Sequence, residues 1–426
     1  MGMGRFARAG AMVCALAVTA SVALTGCGPD PQKPAFVGGG PSGAPETGVA
    51  APVGDRASGA PAPNGGTVPV APADGATNRP VSTEIAAGTP DVKITEVKLT
   101  AADGKPVAGT ARTDGSSWVP AAPLKYGTRY TATITGTSAA GQVTGTSTFT
   151  TMKKPKSLIG SGLYLFDDKT YGVAMPVVTE FSPGIPKKDR AAVQKRMFVQ
   201  TDPPQPGAWH WVSNGTQAYY RGAEYWTPGT KLTVRIALEG IPLSNGKYGN
   251  VDRRASAKIG RAFEMKVENA TKQMTVSENG QVVKTLPVSL GKKSTPSSSG
   301  TMVVMEKKEA TVFDTRDDPD PANRYVTDID FAQRLTWGGE YIHAAPWSVQ
   351  HQGRRNVSHG CVNVSMDNAR WLFQKTLVGD PITITGTERQ LAAGNGWTAW
   401  SLSWAEFVKG SALPVPDGGE GATLAL

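Results

Sequence analysis

The chain has 426 residues, which is too long for one ordinary hydrophobic core and indicates several domains. Its hydrophobic content is 39%, and 50 glycines with 32 prolines are typical of β-rich modules joined by flexible segments. The formal net charge of +9 favours anionic surroundings, such as an acidic cell wall or an anionic lipid surface. No run of lysine and arginine is interleaved with aromatic residues, so the sequence argues against a nucleic-acid-binding protein.

The N-terminus has the pattern of an export signal. Arg5 and Arg8 precede an apolar run over residues 11–24, which is too short and too rich in alanine for a membrane span. The tetrapeptide Leu24-Thr25-Gly26-Cys27 resembles a bacterial lipobox. That resemblance implies removal of residues 1–26 as a lipoprotein signal peptide and lipidation of Cys27, which would hold the protein at the outer face of the membrane. The alternative is an ordinary signal peptide with an incidental cysteine.

The next part of the chain predicts a tether and two β modules. Residues 27–65 are mainly glycine, proline, alanine and serine, which cannot bury enough surface to offset their ordering entropy, so we expect a flexible tether. Residues 66–152 contain predicted strands at 92–99 and 130–135, separated by turns that contain aspartate and glycine. Short strands of this kind predict an immunoglobulin-like β-sandwich. We expect residues 153–268 to form a second such module.

The second module carries a cluster of aromatic residues. These side chains could form a face on which glycans stack. Clusters of large aromatic residues more often belong to a core or a module interface, and we favour that interpretation. The cluster comprises Trp209, Trp211, Tyr219, Tyr220, Tyr225 and Trp226.

A third β-rich unit is predicted over residues 269–386. Two strand patterns, at 273–276 and 281–284, flank Asn279-Gly280, a dipeptide typical of a tight hairpin turn. The polar passage over residues 306–322 reads as a long loop. A loop of this length in a compact domain is usually functional or disordered.

The chemistry concentrates in Ser358-His359-Gly360-Cys361-Val362-Asn363, with His343 eighteen residues before the cysteine. Cys361 is the only cysteine after residue 27. A thiol beside imidazoles is the arrangement that nucleophilic thiol chemistry needs, because a nearby base raises the reactive thiolate fraction. Gly360 gives the backbone freedom to approach a substrate, so that amide groups can face a developing oxyanion.

A zinc site is the alternative interpretation of this region. His343, His351, His359 and Cys361 offer suitable ligand atoms, but neither a CxxC pair nor an HExxH spacing is present. We therefore expect no metal and no cofactor, and we place His351 on an exposed loop.

The C-terminal part predicts a helix, a strand and a tail. Apolar residues recur at helical spacing over 367–378, and residues 381–385 read as a closing strand. Residues 387–426 contain tryptophans at three- and four-residue spacing, which predicts a segment that packs onto a neighbouring module. We expect residues 411–426 to be disordered.

The motif resembles the signature of the L,D-transpeptidases, the YkuD domain. The similarity extends through His343-Ala344-Ala345-Pro346-Trp347 to Gly379-Asp380, and it is strong over residues 269–410. The organisation is similar to the actinobacterial multidomain type. The resemblance implies a mainly β protein, in which two immunoglobulin-like modules precede a β-rich catalytic domain with a short helix behind the active-site loop.

The same resemblance implies roles for individual residues. Cys361 would be the nucleophile and His343 the base, with the backbone carbonyl of Ser358 fixing the tautomer of His343. His359 would shape the site, the amides of Gly360 and Cys361 would bind the oxyanion, and the polar passage before Tyr325 would form a lid. The expected substrate-binding residues are Tyr325, Met305, Trp347 and Asn363.

The implied activity is peptidoglycan cross-linking. The resemblance implies that the thiol attacks position 3 of a tetrapeptide donor stem, D-Ala leaves, and the amine of an acceptor stem forms a 3→3 link. Carbapenems are the implied inhibitors. Two alternatives remain open: an L,D-carboxypeptidase, in which water resolves the thioester, and a non-catalytic wall-binding lipoprotein.

Overall fold

The computed structural model describes residues 65–318 and 320–426. The predicted signal peptide, the lipidation site Cys27 and nearly all of the predicted tether lie outside the described residues. No helix in the described ranges is long and apolar enough to cross a membrane.

The first module is a β-sandwich whose strands alternate buried and exposed positions. Its largest sheet has the order β1-β10-β9-β5-β6, with β3 also paired to β10, and the central strands enclose Leu99, Ile134 and Phe149. The predicted strands at 92–99 and 130–135 fall on β5 and β9. The strands are β1 (Gly66–Thr67), β2 (Val70–Ala71), β3 (Ala76–Arg79), β4 (Ala86–Ala87), β5 (Lys93–Ala101), β6 (Pro106–Val107), β7 (Gly109–Ala111), β8 (Trp118–Pro120), β9 (Arg129–Ser138) and β10 (Gly141–Thr151).

The second module packs two sheets, β15-β16-β13-β11-β18 and β12-β19-β17-β14, around one core. Trp209 and Trp226 are each only 1% exposed, so the aromatic cluster belongs to the core and the glycan-stacking alternative is wrong for these residues. The elements are β11 (Leu158–Leu163), β12 (Thr170–Tyr171), β13 (Val177–Ser182), α1 (Arg190–Gln194), β14 (Met197–Asp202), β15 (Gly207–Trp211), β16 (Gln217–Gly222), β17 (Lys231–Ala237), β18 (Tyr248–Gly249) and β19 (Asp252–Ile259).

The third unit contains two further sheets, β22-β21-β20-β28-β23-β29 and β24-β25-β26-β27. The elements are β20 (Phe263–Glu268), β21 (Gln273–Glu278), β22 (Gln281–Pro287), β23 (Ser298–Val303), β24 (Glu306–Asp314), β25 (Val326–Arg334), β26 (Tyr341–Ala344), β27 (Val362–Val364), α2 (Met366–Lys375), β28 (Pro381–Thr385), β29 (Arg389–Gln390) and α3 (Trp404–Phe407). Short 3-10 helices lie at Lys187–Asp189, Pro321–Asn323, Pro346–His351, Thr398–Ser401 and Val408–Gly410.

Two boundaries of this unit are informative. β20 pairs with both β21 and β28 inside the sheet, so the structure starts the third unit at Phe263, six residues before the predicted residue 269. The predicted hairpin turn joins β21 to β22, where Asn279 has φ of 50° and Gly280 has φ of 81°. Positive φ at both positions is what an Asn-Gly hairpin turn requires.

The prediction of a long loop over residues 306–322 is wrong for its first half. Residues Glu306–Asp314 form β24, which pairs along its length with β25, so only residues 315–325 connect the two strands. β24 is an edge strand, where charged side chains remain in water and block further strand pairing. Its charged sequence therefore resembled a loop. We call β24, β25 and their connection the flap hairpin.

The helix behind the motif is present and short. The Ser365 hydroxyl accepts a hydrogen bond from the amide of Asn368 and caps the N-terminus of α2. Ala369 and Leu372 on one face of α2 are fully buried in the core beneath β26 and β27. The helix therefore supports the strands that carry the motif.

The C-terminal segment does not fit the prediction of disorder over residues 411–426. After α3, it runs back along the second and first modules, with bridges from Glu420 to Gly207 and from Leu424 to Arg112. Leu424 is only 2% exposed. These contacts are made largely by backbone groups, so the sequence of the tail has no periodic pattern that would reveal them. We call residues 411–426 the C-terminal strap.

Candidate active site

The motif histidine lies on β26, and the motif cysteine immediately precedes β27, the parallel strand beside it. β26 and β27 pair with His343 directly opposite Asn363, and Cys361 lies two residues before Asn363. Side chains two apart on an extended segment share a face, so His343 and Cys361 are diagonal neighbours. Tyr341, two residues before His343, accordingly belongs to the same buried cluster as Cys361.

His343 is held in the form that a general base requires. It is 3% exposed, and its Nδ1 lies 2.8 Å from the backbone oxygen of Ala344. A carbonyl can only accept, so Nδ1 carries the proton and Nε2 keeps its lone pair. Burial lowers the pKa of His343 to about 4, so the imidazole is neutral at pH 7.

The partner of His343 corrects one expectation. The family resemblance implied that the carbonyl of Ser358 fixes the imidazole. In the structure that carbonyl accepts the amide of Lys292 at 2.9 Å and the hydroxyl of Thr295 at 3.3 Å, while Ala344 receives Nδ1. The carbonyl of Ala344 follows His343 on the same strand, so the tautomer is set locally.

Cys361 lies beneath a lid of apolar side chains. The thiol is fully buried, and its Sγ donates to the carbonyl of Gly339 at 3.6 Å. Its cluster contains Phe313 and Ile329 from the flap hairpin. The Phe313 ring also contacts the His343 ring edge-on, with 5.4 Å between the ring centroids. The flap hairpin therefore covers both reacting groups.

The loop before Cys361 is closed by Ser358. The Ser358 hydroxyl donates to the carbonyl of Cys361 at 2.7 Å and accepts the amide of Gly360 at 3.1 Å. Gly360 has φ of +128°, which a residue with a side chain rarely adopts. Because the Gly360 amide is already engaged by Ser358, it is not free to bind an oxyanion in this conformation, contrary to the expectation.

His359 is placed beside the cavity by two neighbours. Its Nε2 accepts from the Lys292 ammonium at 2.9 Å, and its ring centroid lies 5.1 Å from that of Tyr325. Burial and the charge of Lys292 both lower the pKa of His359. The side chain therefore stays neutral and links the motif loop to the end of the flap hairpin.

A cavity of about 420 Å³ opens next to these groups. Six of the predicted site residues line it: Tyr325, His343, Trp347, Ser358, His359 and Asn363. Trp347 is 54% exposed at its rim, and the amide nitrogen of Asn363 donates to the Ser348 hydroxyl at 3.3 Å. His343 lines the cavity, whereas Cys361 is fully buried and does not line it.

Met305 does not lie in this cavity. It lines a different cavity of about 500 Å³ between the second module and the third unit, together with Trp337 and Trp397. The chain turns away from the motif after β23, and the amide of Met305 donates to the backbone oxygen of Arg334. The expectation that Met305 contacts the substrate at the active site has no support in the structure.

Comparison with known proteins identifies the family. Residues 264–384 match the family described as the L,D-transpeptidase catalytic domain, and residues 76–242 match a bacterial Ig domain. L,D-transpeptidase 2 of Mycobacterium tuberculosis (strain CDC 1551 / Oshkosh) is 32% identical over 342 residues, covering 79% of this chain and 83% of the relative. The chain belongs to the L,D-transpeptidase family.

Other similar proteins carry the same description. L,D-transpeptidase 5 of Mycobacterium tuberculosis (strain ATCC 25618 / H37Rv) is 33% identical over 353 residues, covering 81% of this chain and 76% of the relative. A solved structure of the LD transpeptidase LdtMt1 in complex with imipenem is 34% identical, with a TM-score of 0.46, and covers 54% of this chain and 100% of that one. The mainly β fold and the enzymatic class predicted from the sequence are confirmed by the family and its named relatives.

Sequence reasoning missed several residues of this L,D-transpeptidase site. Phe313 and Arg324 line the cavity, and Phe313 was detectable as the single aromatic residue in a charged stretch. Glu340 and Arg389 form an ion pair beside the motif loop. They lie 49 residues apart in the sequence and share no motif, so no local pattern could reveal the pair.

The described residues contain no group of three or more histidine, cysteine, aspartate or glutamate side chains that could hold a metal ion. His351 ends a 3-10 helix, and its ring nitrogens lie 3.3 and 3.4 Å from the Arg355 guanidinium. His351 is not among the residues that line the cavity beside His343.

Proposed function

We propose that this L,D-transpeptidase forms 3→3 peptidoglycan cross-links, with Cys361 as the nucleophile and His343 as the general base. The donor is a tetrapeptide stem, and the acyl group is the carbonyl of its third residue. The acceptor is a side-chain amine on a neighbouring stem. The proposal is supported by the family, by its named relatives and by the arrangement of the two side chains.

The first half-reaction builds a thioester. His343 Nε2 takes the proton of Cys361, and the sulfur attacks the carbonyl carbon of residue 3 to form a tetrahedral intermediate. The bond to the D-Ala nitrogen then breaks, and the imidazolium returns its proton to that nitrogen. D-Ala leaves as a free amino acid, and the acyl group remains on the sulfur.

The second half-reaction resolves the thioester. The acceptor amine attacks the same carbonyl carbon while His343 takes one of its protons. The carbon–sulfur bond breaks, and the imidazolium returns the proton to the sulfur. A new amide joins the two stems and Cys361 is restored, so neither an oxidant nor a cofactor is needed.

One observation carries this assignment above all. A neutral imidazole on β26, with Nδ1 engaged by Ala344 and Nε2 unprotonated, lies diagonally across from Cys361, whose thiol donates to the carbonyl of Gly339. Transfer of the thiol proton to Nε2 gives the thiolate that attacks the substrate and the imidazolium that later protonates the leaving group. A purely wall-binding protein would have no use for a base of this kind.

The flap hairpin favours transfer to an amine over hydrolysis. Phe313 and Ile329 cover Cys361, and Tyr325 borders the cavity at the end of the connection. A cover that closes over an acyl-enzyme excludes water and positions the acceptor. Hydrolysis, which would give an L,D-carboxypeptidase, then requires the flap to open.

The decisive test uses purified full-length protein and a disaccharide-tetrapeptide. We expect a dimer whose mass equals two substrates minus one alanine, and we expect Cys361→Ala to form none. Release of a tripeptide alone would identify a carboxypeptidase, and no product would favour the wall-binding alternative. Turnover by Cys361→Ala near the wild-type rate would refute the assignment of the nucleophile.

Carbapenems are proposed as inhibitors through the same chemistry. The relative LdtMt1 has been solved in complex with imipenem. In this chain Cys361 would open the β-lactam ring, with the carbonyl bound to sulfur and the proton transferred to the ring nitrogen. Intact mass should increase by the full mass of the carbapenem in the native protein and remain unchanged in Cys361→Ala.

The location is proposed from the sequence alone. Lipidation of Cys27 would anchor the protein at the outer face of the cytoplasmic membrane. Residues 27–65 would then carry the folded modules into the cell wall, where the peptide stems lie.

A further inference from the structure

An ion pair between the buried Glu340 and the partly exposed Arg389 lies beside the active-site loop. Glu340 is 2% exposed and follows Gly339, whose carbonyl accepts the thiol of Cys361. The Glu340 carboxylate accepts the hydroxyl of Ser298 at 2.7 Å and its amide at 3.1 Å. The guanidinium of Arg389 donates to the same carboxylate. Together, these contacts fix the Glu340 side chain in one orientation.

The pair lies beside Gly360, where a side chain would reach it. A Cβ atom at Gly360 would lie 3.7 Å from Cγ of Glu340 and 3.8 Å from Nη2 of Arg389. From the other side, the hydroxyl of Ser297 donates to the Gly360 carbonyl at 2.7 Å. Ser297 and the Glu340 ligand Ser298 are adjacent in the chain, so the loop and the pair rest on the same segment.

Three distant segments meet at this point. Arg389 comes from β29, which pairs in parallel with β23 so that Arg389 lies opposite Ser298. Glu340 precedes β26, which carries His343. The ion pair therefore connects the strand of the base to the segment that holds the loop of Cys361.

We infer that the Glu340–Arg389 ion pair is a positioning element of the active site, which holds Gly360 and thereby sets the place of Cys361 relative to His343. Neither residue lines the cavity of about 420 Å³, so neither contacts the substrate there. A buried ion pair is a weak source of net stability because desolvation offsets its attraction. The ion pair is therefore better explained by the orientation that its hydrogen bonds impose on the neighbouring segments.

The inference rests on the proposed role of Cys361 as nucleophile. Peptide mapping of the native adduct tests that role by itself, because an adduct on any other residue would refute the proposed function whatever Glu340 does. With the adduct on Cys361, the positioning role is tested by kinetics.

The main variant is Glu340→Gln, which keeps the length of the side chain and removes its charge. A misplacement of a reacting group by about 1 Å costs on the order of 100-fold in rate. We expect the acylation rate constant at saturating carbapenem to fall by about 10- to 100-fold. The carbapenem concentration that gives half the maximal rate should stay the same, because the cavity lining is unchanged.

Arg389 supplies the second half of the test. Arg389→Gln should slow acylation in the same way, and the double variant should be no slower than the slower single variant, because the pair acts as a unit. Arg389→Lys keeps the charge but replaces the planar guanidinium, whose Nη2 contacts Glu340, by a shorter ammonium, so it should be partly active. Its side chain is 24% exposed, so this milder variant provides a test even if Glu340→Gln does not fold.

Asp252→Asn is the matched control. It breaks the Arg235–Asp252 pair, joined at 3.0 Å, whose side chains are 3% and 11% exposed and lie in the second module. We expect it to lower the melting temperature and leave acylation unchanged. The inference is overturned if Glu340→Gln acylates at the native rate, if Asp252→Asn is slowed equally, or if the two single losses multiply in the double variant.

Discussion

The burial of His343 makes a strong prediction about acidic pH. Its pKa is lowered to about 4, against 6.5 for a solvated imidazole. At pH 5.5 about 97% of the His343 side chains would then be neutral, whereas only about 9% of an ordinary histidine would be. The base should thus remain active where a solvated histidine has lost about 90% of its function.

Stopped-flow acylation by a carbapenem between pH 3.5 and 8 measures this directly. We expect the acidic limb of the rate to have a midpoint near 4 and to be flat from about pH 5.5 to neutrality. The protein has four histidines, so proton NMR can follow each ring, and His343→Gln assigns the relevant signal. His351→Gln is the control, because His351 does not line the cavity and its loss should leave the profile intact.

The lowered pKa of His343 also makes the free energy of unfolding depend on pH. The unfolded chain binds a proton at His343 below about pH 6.5, whereas the folded chain does so only below about pH 4. The contribution of His343 to the free energy of unfolding is therefore complete above pH 6.5 and falls as the pH decreases from about 6.5 to about 4. Relative to pH 8, the loss at pH 5 is about 2 kcal/mol, which His343→Gln should not show. Two results together would refute the lowered pKa of His343: an acylation midpoint near pH 6.5, and a free energy of unfolding that falls with acid equally in the native protein and in His343→Gln.

Three further predictions concern other parts of the chain. Tyr325→Phe should slow acylation by about 10- to 1000-fold if the hydroxyl donates to the oxyanion. Because the amide of Gly360 is engaged by Ser358, the oxyanion has more need of a side-chain donor. An unchanged stopped-flow rate would show that Tyr325 only packs. Removal of residues 413–426 should lower the free energy of unfolding by about 2 kcal/mol through loss of the buried Leu424, without changing acylation, as denaturation and kinetics would show. Cys27→Ser should move the protein from the membrane fraction to the soluble fraction with unchanged activity on soluble muropeptides, and its retention after a salt wash would count against lipidation.

Sequence patterns predicted the structure correctly where a feature depends on residues that are close together in the chain. The Asn279-Gly280 turn formed as predicted because its conformation depends on two residues alone. The motif identified Cys361 and His343 as partners, and the structure brings them together because His343 lies on β26 and Cys361 directly precedes the paired strand β27. Neither result required knowledge of distant parts of the chain.

Longer-range features could not be predicted in this way. β24 looked like a loop because edge strands carry charged side chains, and its pairing with β25 is visible only in the folded sheet. The C-terminal strap is ordered by backbone contacts with other modules, so its composition suggested disorder. Met305 was assigned to the substrate by the family resemblance, but in the structure it lines another cavity.

The buried thiol has a consequence for the order of events. In the described conformation Sγ of Cys361 faces the carbonyl of Gly339, and Phe313 lies over the His343 ring. Attack on a substrate requires the thiol to leave that carbonyl and the flap hairpin to move, whereas Gly360 and its support can remain fixed. The two tasks thus fall to different segments. The flap hairpin covers the reacting groups, and the segment that carries Ser297 and Ser298 holds the Gly360 loop. A substitution in the flap should therefore change how often the site opens, and a substitution at Glu340 should change how fast the opened site reacts.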